Sequence, residues 1–551
     1  MAFITLLNQG KLDEAIAHGE RLAASHATSL PLYNMLGSAN IQADRRSQAT
    51  EWFRKALQIA QDDVDTLYNM GVTSQELGRK TEAIYCYERI LRLKPDLSQI
   101  QALKLLLQAH ICDWKALRDS EVILETLGIE GRMISPFTLL PLEDRPDRHR
   151  FRSERYSAKL FQQIPLPDPV RPDREPQRLR IGYFSAEIRN HPVARLIARI
   201  LELHDRSRFE VHVYSHGPVV EDETRARIMR AADHFHEVSP LTDQAIAEHA
   251  RRDGIDIAVD LTGHTTYART GLFALRSAPV QISYLGYPGT CGAPFLDYIV
   301  ADKCLIPEEH RHFFTESPIW LPHCYQAQDD QAAIADQPPS RVALGLPEQG
   351  FVFCGINNSY KIRPDLYDIW MRLLHQVEGS VLWLLKSNPW AEKNLRDEAA
   401  ARGVDPARII FADWKPYPEY LAQFGRADLF LDSFIYNAGA TASNALWAGL
   451  PVLTRMGVGY TARMAASLLN AIGLPELITL SAESYEQLAL ELATNPARLA
   501  AIRSRLQLNR NTMPLFDSSL FTAHLETGYR EAWRRWFRGQ PPAAIDVPAD
   551  I

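Results

Sequence analysis

The chain has 551 residues, 46% hydrophobic and 23% charged, which suits two to four domains with full cores and excludes a disordered protein. A formal charge of −7 and a pI near 6.2 exclude a global pull toward nucleic acid or anionic membrane, so any polyanion needs a local site. Cys86, Cys112, Cys291, Cys304, Cys324 and Cys354 are scattered without a CxxC pair, and there is no basic leader and no run of ~18 apolar residues, so a reduced, cytoplasmic protein without disulfides, cysteine-bound zinc or a membrane span is expected.

A repeat organises the first hundred residues. "YNMLGSANIQADRRSQATEWFRKAL" (33–57) aligns with "YNMGVTSQELGRKTEAIYCYERIL" when Leu36-Gly37 is set on Met70-Gly71, which also places Ala49 on Ala83, Phe53 on Tyr87 and Leu57 on Leu91. Glycine on the first helix of a pair, alanine and an aromatic on the second, and a closing Pro95 resemble the tetratricopeptide repeat (TPR). "GKLDEAIAHGERLAA" reads as the second helix of a further unit with a truncated first helix, giving about two and a half repeats over residues 1–96. Such an array either packs as a plain helical scaffold or offers a groove to a polypeptide partner.

Residues 97–175 read as a helical extension followed by a Pro/Arg-rich linker. Its arginines are interleaved with Asp144, Asp147, Glu154, Asp168, Asp173 and Glu175, so a solvated linker is expected rather than a nucleic-acid arm. Beyond it, strands alternate with helices. "LRIGYFS", "FEVHVYS", "DIAVDLT", "VQISYLG", "DYIVAD" and "PIWLP" form one set within 176–335, and "FVFCGIN", "VLWLLKS", "RIIFAD", "DLFLDSF" and "PVLTRM" a second within 336–517. Nearly continuous apolar strands with intervening helices predict two doubly wound parallel sheets, whose ligands sit beyond the carboxyl ends of the strands. Residues 518–551 read as a last helix, with Trp533 and Phe537 one turn apart on a buried face, and a loose tail.

Three loops after strands carry candidate chemistry. "AEIRNHPVARLI" places His191 at a strand-to-helix turn, where it serves either as a surface or helix-start residue or as an acid–base group. "NNSYKIRPD" carries Lys361, either a solvated charge or a phosphate contact. "IYNAGATASNALWAG" opens a helix with Gly439, Ala440 and Thr441, small enough for backbone N–H groups to meet a phosphate, although small residues there also simply pack well.

"NHPVARL", "GLFALRSAPVQISYLGYPGTCGAPFLDYIVAD", "INNSYKIRPD" and "NALWAGLPVLTRMGVGYTARMAASLLNAIGLPELI", following tetratricopeptide repeats, resemble the protein O-linked N-acetylglucosamine transferases, in a bacterial form with a short repeat array. The resemblance covers nearly the whole chain. It implies an α/β GT-B glycosyltransferase, with two facing Rossmann-like doubly wound domains preceded by an α-helical TPR array. It further implies an inverting transfer of N-acetylglucosamine from UDP-GlcNAc to Ser or Thr of a polypeptide, without a cofactor or metal and without a nucleic-acid or membrane partner. Lys361 then resembles the lysine at the donor diphosphate, aided by Gly439, Ala440 and Thr441. Asn358 and Tyr360 belong to the same loop, Lys415 and Tyr420 to the part that receives uracil, and Asn444 to the ribose position. Leu285, Gly286, Tyr287 and Pro288 would lie near the sugar, and His191 beside the acceptor and α-phosphate.

Neither "DDVD" (62–65), in the repeats, nor "DGID" (253–256), entering a strand at its amino end, suits a metal at the binding edge. The animal members' Asn-Gly-His-Thr-Thr is "NAGATA" here, so Gly439 replaces a histidine and Ala440 a threonine. Tyr420 replaces the uracil-side histidine, Tyr417 a lysine, and Asn444 the ribose aspartate. Three functions are therefore weighed: the N-acetylglucosamine transferase, a related transferase using another UDP-sugar or an asparagine acceptor, and a binding scaffold with weakened turnover.

Overall fold

The computed structural model describes residues 2–25, 29–119 and 121–550. The chain falls into two compact units, Met1–Ile134 and Ser135–Ile551.

In the first unit, helices Leu30–Gln42 and Arg46–Ile59 recur at the sequence period as Val64–Glu76 and Lys80–Leu93. Ser29 and Asp63 cap the first helix of each pair by accepting from the amides of Leu32 and Thr66, which satisfies otherwise orphaned donors. The short helix Ala2–Asn8 is the truncated partner of Leu12–Ser25, and Ser98–His110 continues the array past residue 96. Close packing depends on the repeat glycines. A Cβ on Gly37 would lie 2.3 Å from the Phe53 ring, and one on Gly71 would lie 2.6 Å from Tyr87. Gly37→Ala should therefore destabilise this unit by about 1–3 kcal/mol, the usual cost of overpacking. Thermal unfolding of the full chain by far-ultraviolet circular dichroism checks this, and an unchanged transition would show that the helix pair separates at no cost.

The second unit holds two parallel sheets. The first contains β1 (Leu179–Ser185), β2 (Phe209–Ser215), β3 (His234–Glu237), β4 (Ile257–Asp260), β5 (Val280–Ser283), β6 (Tyr298–Asp302) and β7 (Ser317–Leu321). The second contains β8 (Val352–Gly355), β9 (Val381–Leu385), β10 (Ile409–Ala412), β11 (Leu429–Leu431), β12 (Val452–Arg455) and β13 (Ile478–Thr479), while β14 (Ile545–Asp546) returns to the first. The strand orders are β14-β7-β6-β5-β4-β1-β2-β3 and β10-β9-β8-β11-β12-β13. All eleven expected strands are present, each at most a few residues shorter than its apolar run.

Two expectations are corrected. The tail is not loose, because Ile545 and Val547 point their side chains into the first core and β14 pairs with β7. Helix Ser518–Phe537 leads to it, burying Leu525, Tyr529 and Trp533 in the same core with Phe537 packed against it. The Pro/Arg-rich segment is not wholly solvated either. Its helix Pro146–Leu160 buries Arg152 in an ion pair with Glu143, and the Ser157 hydroxyl donates to the Cys291 carbonyl at 2.7 Å. A Cβ on Gly292 would strike the backbone of Ser153 and Glu154 at 2.3 Å, so the glycine in "GTCGA" is required by this helix. Among the described residues, no helix is long and apolar enough to cross a membrane.

Candidate active site

Lys361 ends a single 3-10 turn, Ser359–Lys361, after β8. Its ammonium donates to the Asn437 carbonyl at 3.0 Å and lies 4.2 Å from the centre of the Tyr436 ring. Burial lowers the Lys361 pKa and the nearby Asp432 carboxylate draws it back up. Burial in turn raises the pKa of Asp432. Asp432 follows β11 and shapes the loop facing the lysine: one carboxylate oxygen accepts from the amides of Ser433 and Ala438, the other from the Thr454 hydroxyl. Asn358 is exposed at the start of the turn, and Tyr360 is half-buried with its ring 6.1 Å from that of Tyr436.

The Asp432-anchored loop ends at Gly439, which precedes helix Ala440–Trp447 with no side-chain cap. A Cβ on Gly439 would lie 3.1 Å from the Gln326 amide oxygen, a tight contact that the Gln326 side chain would have to yield to. Gln326 in turn donates to the Ser443 hydroxyl at 3.1 Å, fastening the connection from the first sheet onto this helix. A lysine beside an uncapped helix start is an arrangement suited to a phosphate-bearing ligand, because the charge and the backbone amides act together.

Tyr420 lies beside Asn444 and Thr441 of this helix. The Tyr417 hydroxyl donates to Asn444 at 2.8 Å, and the rings of Tyr417 and Tyr420 lie 6.3 Å apart, nearly parallel. Two departures from the animal pattern are thus partners, a basic and an acidic position having become a neutral hydrogen-bonded pair. The Arg195 guanidinium lies 4.0 Å from the centre of the Tyr417 ring. Lys415 lies apart from this group, lining a groove of about 440 Å³ with Lys386 and Asp413.

From the first sheet, His191 caps helix Pro192–Leu203, its Nδ1 accepting from the Val193 amide at 3.3 Å. That bond assigns the proton of the neutral ring to Nε2, making this nitrogen a donor. Burial lowers the His191 pKa, although Glu187, 3.9 Å away, opposes the shift. After β5, Leu285 adopts a left-handed φ of +67°, and a Cβ on Gly286 would sit 1.9 Å from the Leu261 carbonyl oxygen. Leu285 and Gly286 are half-exposed at the sheet edge; Tyr287 and Pro288 are buried, and Tyr436 packs against the cluster that holds Tyr287. Asn190, Arg195, Asp222, Asp329, Trp414 and Tyr417 line a cleft of about 460 Å³ between the two sheets, within the size range of small-molecule sites.

Sequence reasoning missed Arg195, Gln326 and Asp432. Arg195 alone had a local signal, lying one helical turn after His191. Among the described residues, metal-ligand side chains converge on β2, β3 and Asp253, and Asp432 spends its oxygens on the loop it anchors.

Residues 158–337 and 334–525 match the model of glycosyl transferase family 41, and residues 30–63 and 64–97 match the tetratricopeptide repeat. The chain is 37% identical over 385 residues to a probable UDP-N-acetylglucosamine–peptide N-acetylglucosaminyltransferase, SEC, of Arabidopsis thaliana, covering 69% of this chain and 39% of that one. It is 28% identical over 480 residues to the UDP-N-acetylglucosamine–peptide N-acetylglucosaminyltransferase of Caenorhabditis elegans, covering 66% and 41%. The chain therefore spans about two fifths of the length of these curated relatives. A solved structure of a lysine-to-methionine mutant of the Thermobaculum terrenum O-GlcNAc transferase matches with a TM-score of 0.72 at 26% identity, covering 98% of this chain and 97% of that one.

Proposed function

This chain belongs to glycosyl transferase family 41, and we propose that it transfers N-acetylglucosamine from UDP-N-acetylglucosamine to Ser or Thr hydroxyls of a polypeptide, inverting the anomeric carbon without a metal. The observation that carries this reading is Lys361, held between Asn437 and Tyr436 beside the open start of helix Ala440–Trp447. When the acceptor hydroxyl attacks the anomeric carbon, the bond from that carbon to the β-phosphate oxygen breaks, its electron pair leaves with UDP, and the hydroxyl proton passes to water or to the departing diphosphate. Negative charge grows on the diphosphate, and the ammonium and the amides near Ala440 and Thr441 stabilise it. Asn358 and Tyr360 border the diphosphate in this reading. Tyr420 and Asn444, braced by Tyr417 and Arg195, receive the base and ribose, and the backbone near Lys415 borders the base. Leu285 and Gly286 face the sugar over a floor of Tyr287 and Pro288. His191 stands on the acceptor side, presenting Nε2–H to orient oxygen atoms. The repeat array guides the polypeptide.

Two measurements test the proposal. UDP should raise the melting temperature by several degrees without added divalent cation, since binding at a hundred times the dissociation constant adds about 2.7 kcal/mol. A chelator should leave that increment unchanged, and an increment it removes would put a metal in the diphosphate site. Mass spectrometry of Ser- and Thr-containing peptides incubated with a panel of UDP-sugars should show a GlcNAc adduct with UDP-GlcNAc. UDP binding without turnover of any sugar would instead make the chain a binding scaffold, and an adduct from another sugar or on asparagine would reassign the specificity.

A further inference from the structure

A second constellation lies on the first sheet, away from the cleft. Side chains alternate along a strand, so Glu210, His212 and Tyr214 share one face of β2, and His234 and His236 share that face of β3. The register sets His212 beside His234 and Tyr214 beside His236. Helix Asp243–Arg252 adds His249 and, just past its end, Asp253, four residues apart and so on one side of the helix. This patch lies on a face of the sheet, under the end of helix Asp243–Arg252, whereas the cleft lies beyond the carboxyl ends of the strands.

The orientation of the imidazoles is specific. His212 Nε2 lies 3.2 Å from the Glu210 carboxylate, which fixes the ring proton there and frees Nδ1 as a lone pair. That Nδ1 is 3.2 Å from His236 Nε2, and His236 Nε2 is 3.6 Å from an Asp253 carboxylate oxygen. Bonds of ~2.0–2.1 Å to a tetrahedral zinc separate neighbouring ligand atoms by ~3.4 Å, and the two spacings bracket that value. His249 Nε2, 3.5 Å from the same carboxylate, stands outside this group of three and leaves the fourth position to water. The Tyr214 hydroxyl donates to Asp253 and orients it, as outer-shell partners of metal ligands do.

We propose that His212, His236 and Asp253 bind a zinc-class divalent cation that ties β3 and helix Asp243–Arg252 to β2, with water in the fourth position. The neighbouring group Glu210, His212 and His234 is the weaker choice. Its Glu210 already faces Arg178 and Arg180 at 3.7 and 3.8 Å, and the His234 side chain is 51% exposed. β3 is a four-residue edge strand with β2 as its one neighbour in the sheet, so the ion serves stability rather than turnover.

The test uses the full chain after chelator treatment, titrated calorimetrically with Zn²⁺ and followed with Co²⁺ by visible absorption. One saturable equivalent is expected, with a ligand-field band for Co²⁺ and a rise in melting temperature with Zn²⁺. His236→Ala and the nearly isosteric Asp253→Asn should each weaken Zn²⁺ at least ~10-fold and lose the thermal shift, while His234→Ala should stay within about threefold of the parent. UDP affinity should be the same in all of them. Unaltered binding in both His236→Ala and Asp253→Asn, or no saturable equivalent in the parent, overturns the site. A loss confined to His234→Ala moves the ion to Glu210 and overturns it as well.

Discussion

Lys361→Ala is expected to lower sugar transfer by about 10²- to 10³-fold, equivalent to ~3–4 kcal/mol in the barrier, and to weaken UDP binding. The charge on the departing diphosphate is larger in the transition state than in the bound donor, so turnover should fall further than affinity. The lysine also donates to Asn437, so a merely disordered loop would be an alternative cause of lost activity. Lys361→Met, which keeps most of the bulk, separates the two: it should melt close to the parent and still fail to turn over. Lys361→Arg should restore only part of the activity, because a planar fork does not replace a compact ammonium. With its pKa brought down by burial, free Lys361 loses its proton at a lower pH than an ordinary lysine, so UDP affinity should decline on the alkaline side. Calorimetry with UDP and a transfer assay decide the matter, and Lys361→Ala acting like the parent in both would remove the cleft from consideration.

The second large effect concerns His191. His191→Ala should lower transfer by ~10²-fold while leaving UDP affinity within a few-fold, since the ring stands on the acceptor side in the proposed reading. His191 also caps a helix, and loss of a cap alone costs ~1 kcal/mol of stability. Asparagine is among the best caps, so His191→Asn should restore the melting temperature without restoring transfer. Recovery of transfer in His191→Asn would reduce the histidine to a cap. The pH dependence carries a sign. Burial holds the ring neutral to a lower pH than a free histidine, and protonation places a proton on Nδ1, where the Val193 amide now donates. Transfer should therefore drop on the acid side, with its midpoint below the ordinary histidine value of ~6.5.

Much of this architecture could be read from the chain because its determinants are local. Apolar runs such as "VLWLLKS" identify buried parallel strands without reference to their partners, and the spacing of Gly37 and Phe53 carries the repeat. β3 escaped because "HFHE" has one apolar residue, and β14 because two residues among prolines make no pattern. Lys361 and His191 stood out as polar residues just after strands. Asp432 looked like the end of another strand, since its work is done through Ala438 and Thr454, which only the fold brings near. The pairing of Tyr417 with Asn444 was equally hidden: each read separately as the loss of a charge, and their common meaning lies in one hydrogen bond.

The return of the chain to its first sheet has a consequence for biosynthesis. Helix Ser518–Phe537, β14 and the residue after it supply Leu525, Tyr529, Trp533, Ile545 and Val547 to the core built by β1 to β7. While the ribosome is making the second sheet, that core stays open along β7, with an unpaired edge and an uncovered apolar face. The second sheet, whose strands run without interruption from Val352 to Thr479, has all its strands first, although it is translated later. A nascent chain halted before residue 518 is therefore a natural client for chaperones, and a fusion placed close behind residue 547 would burden the earliest-made sheet rather than the latest.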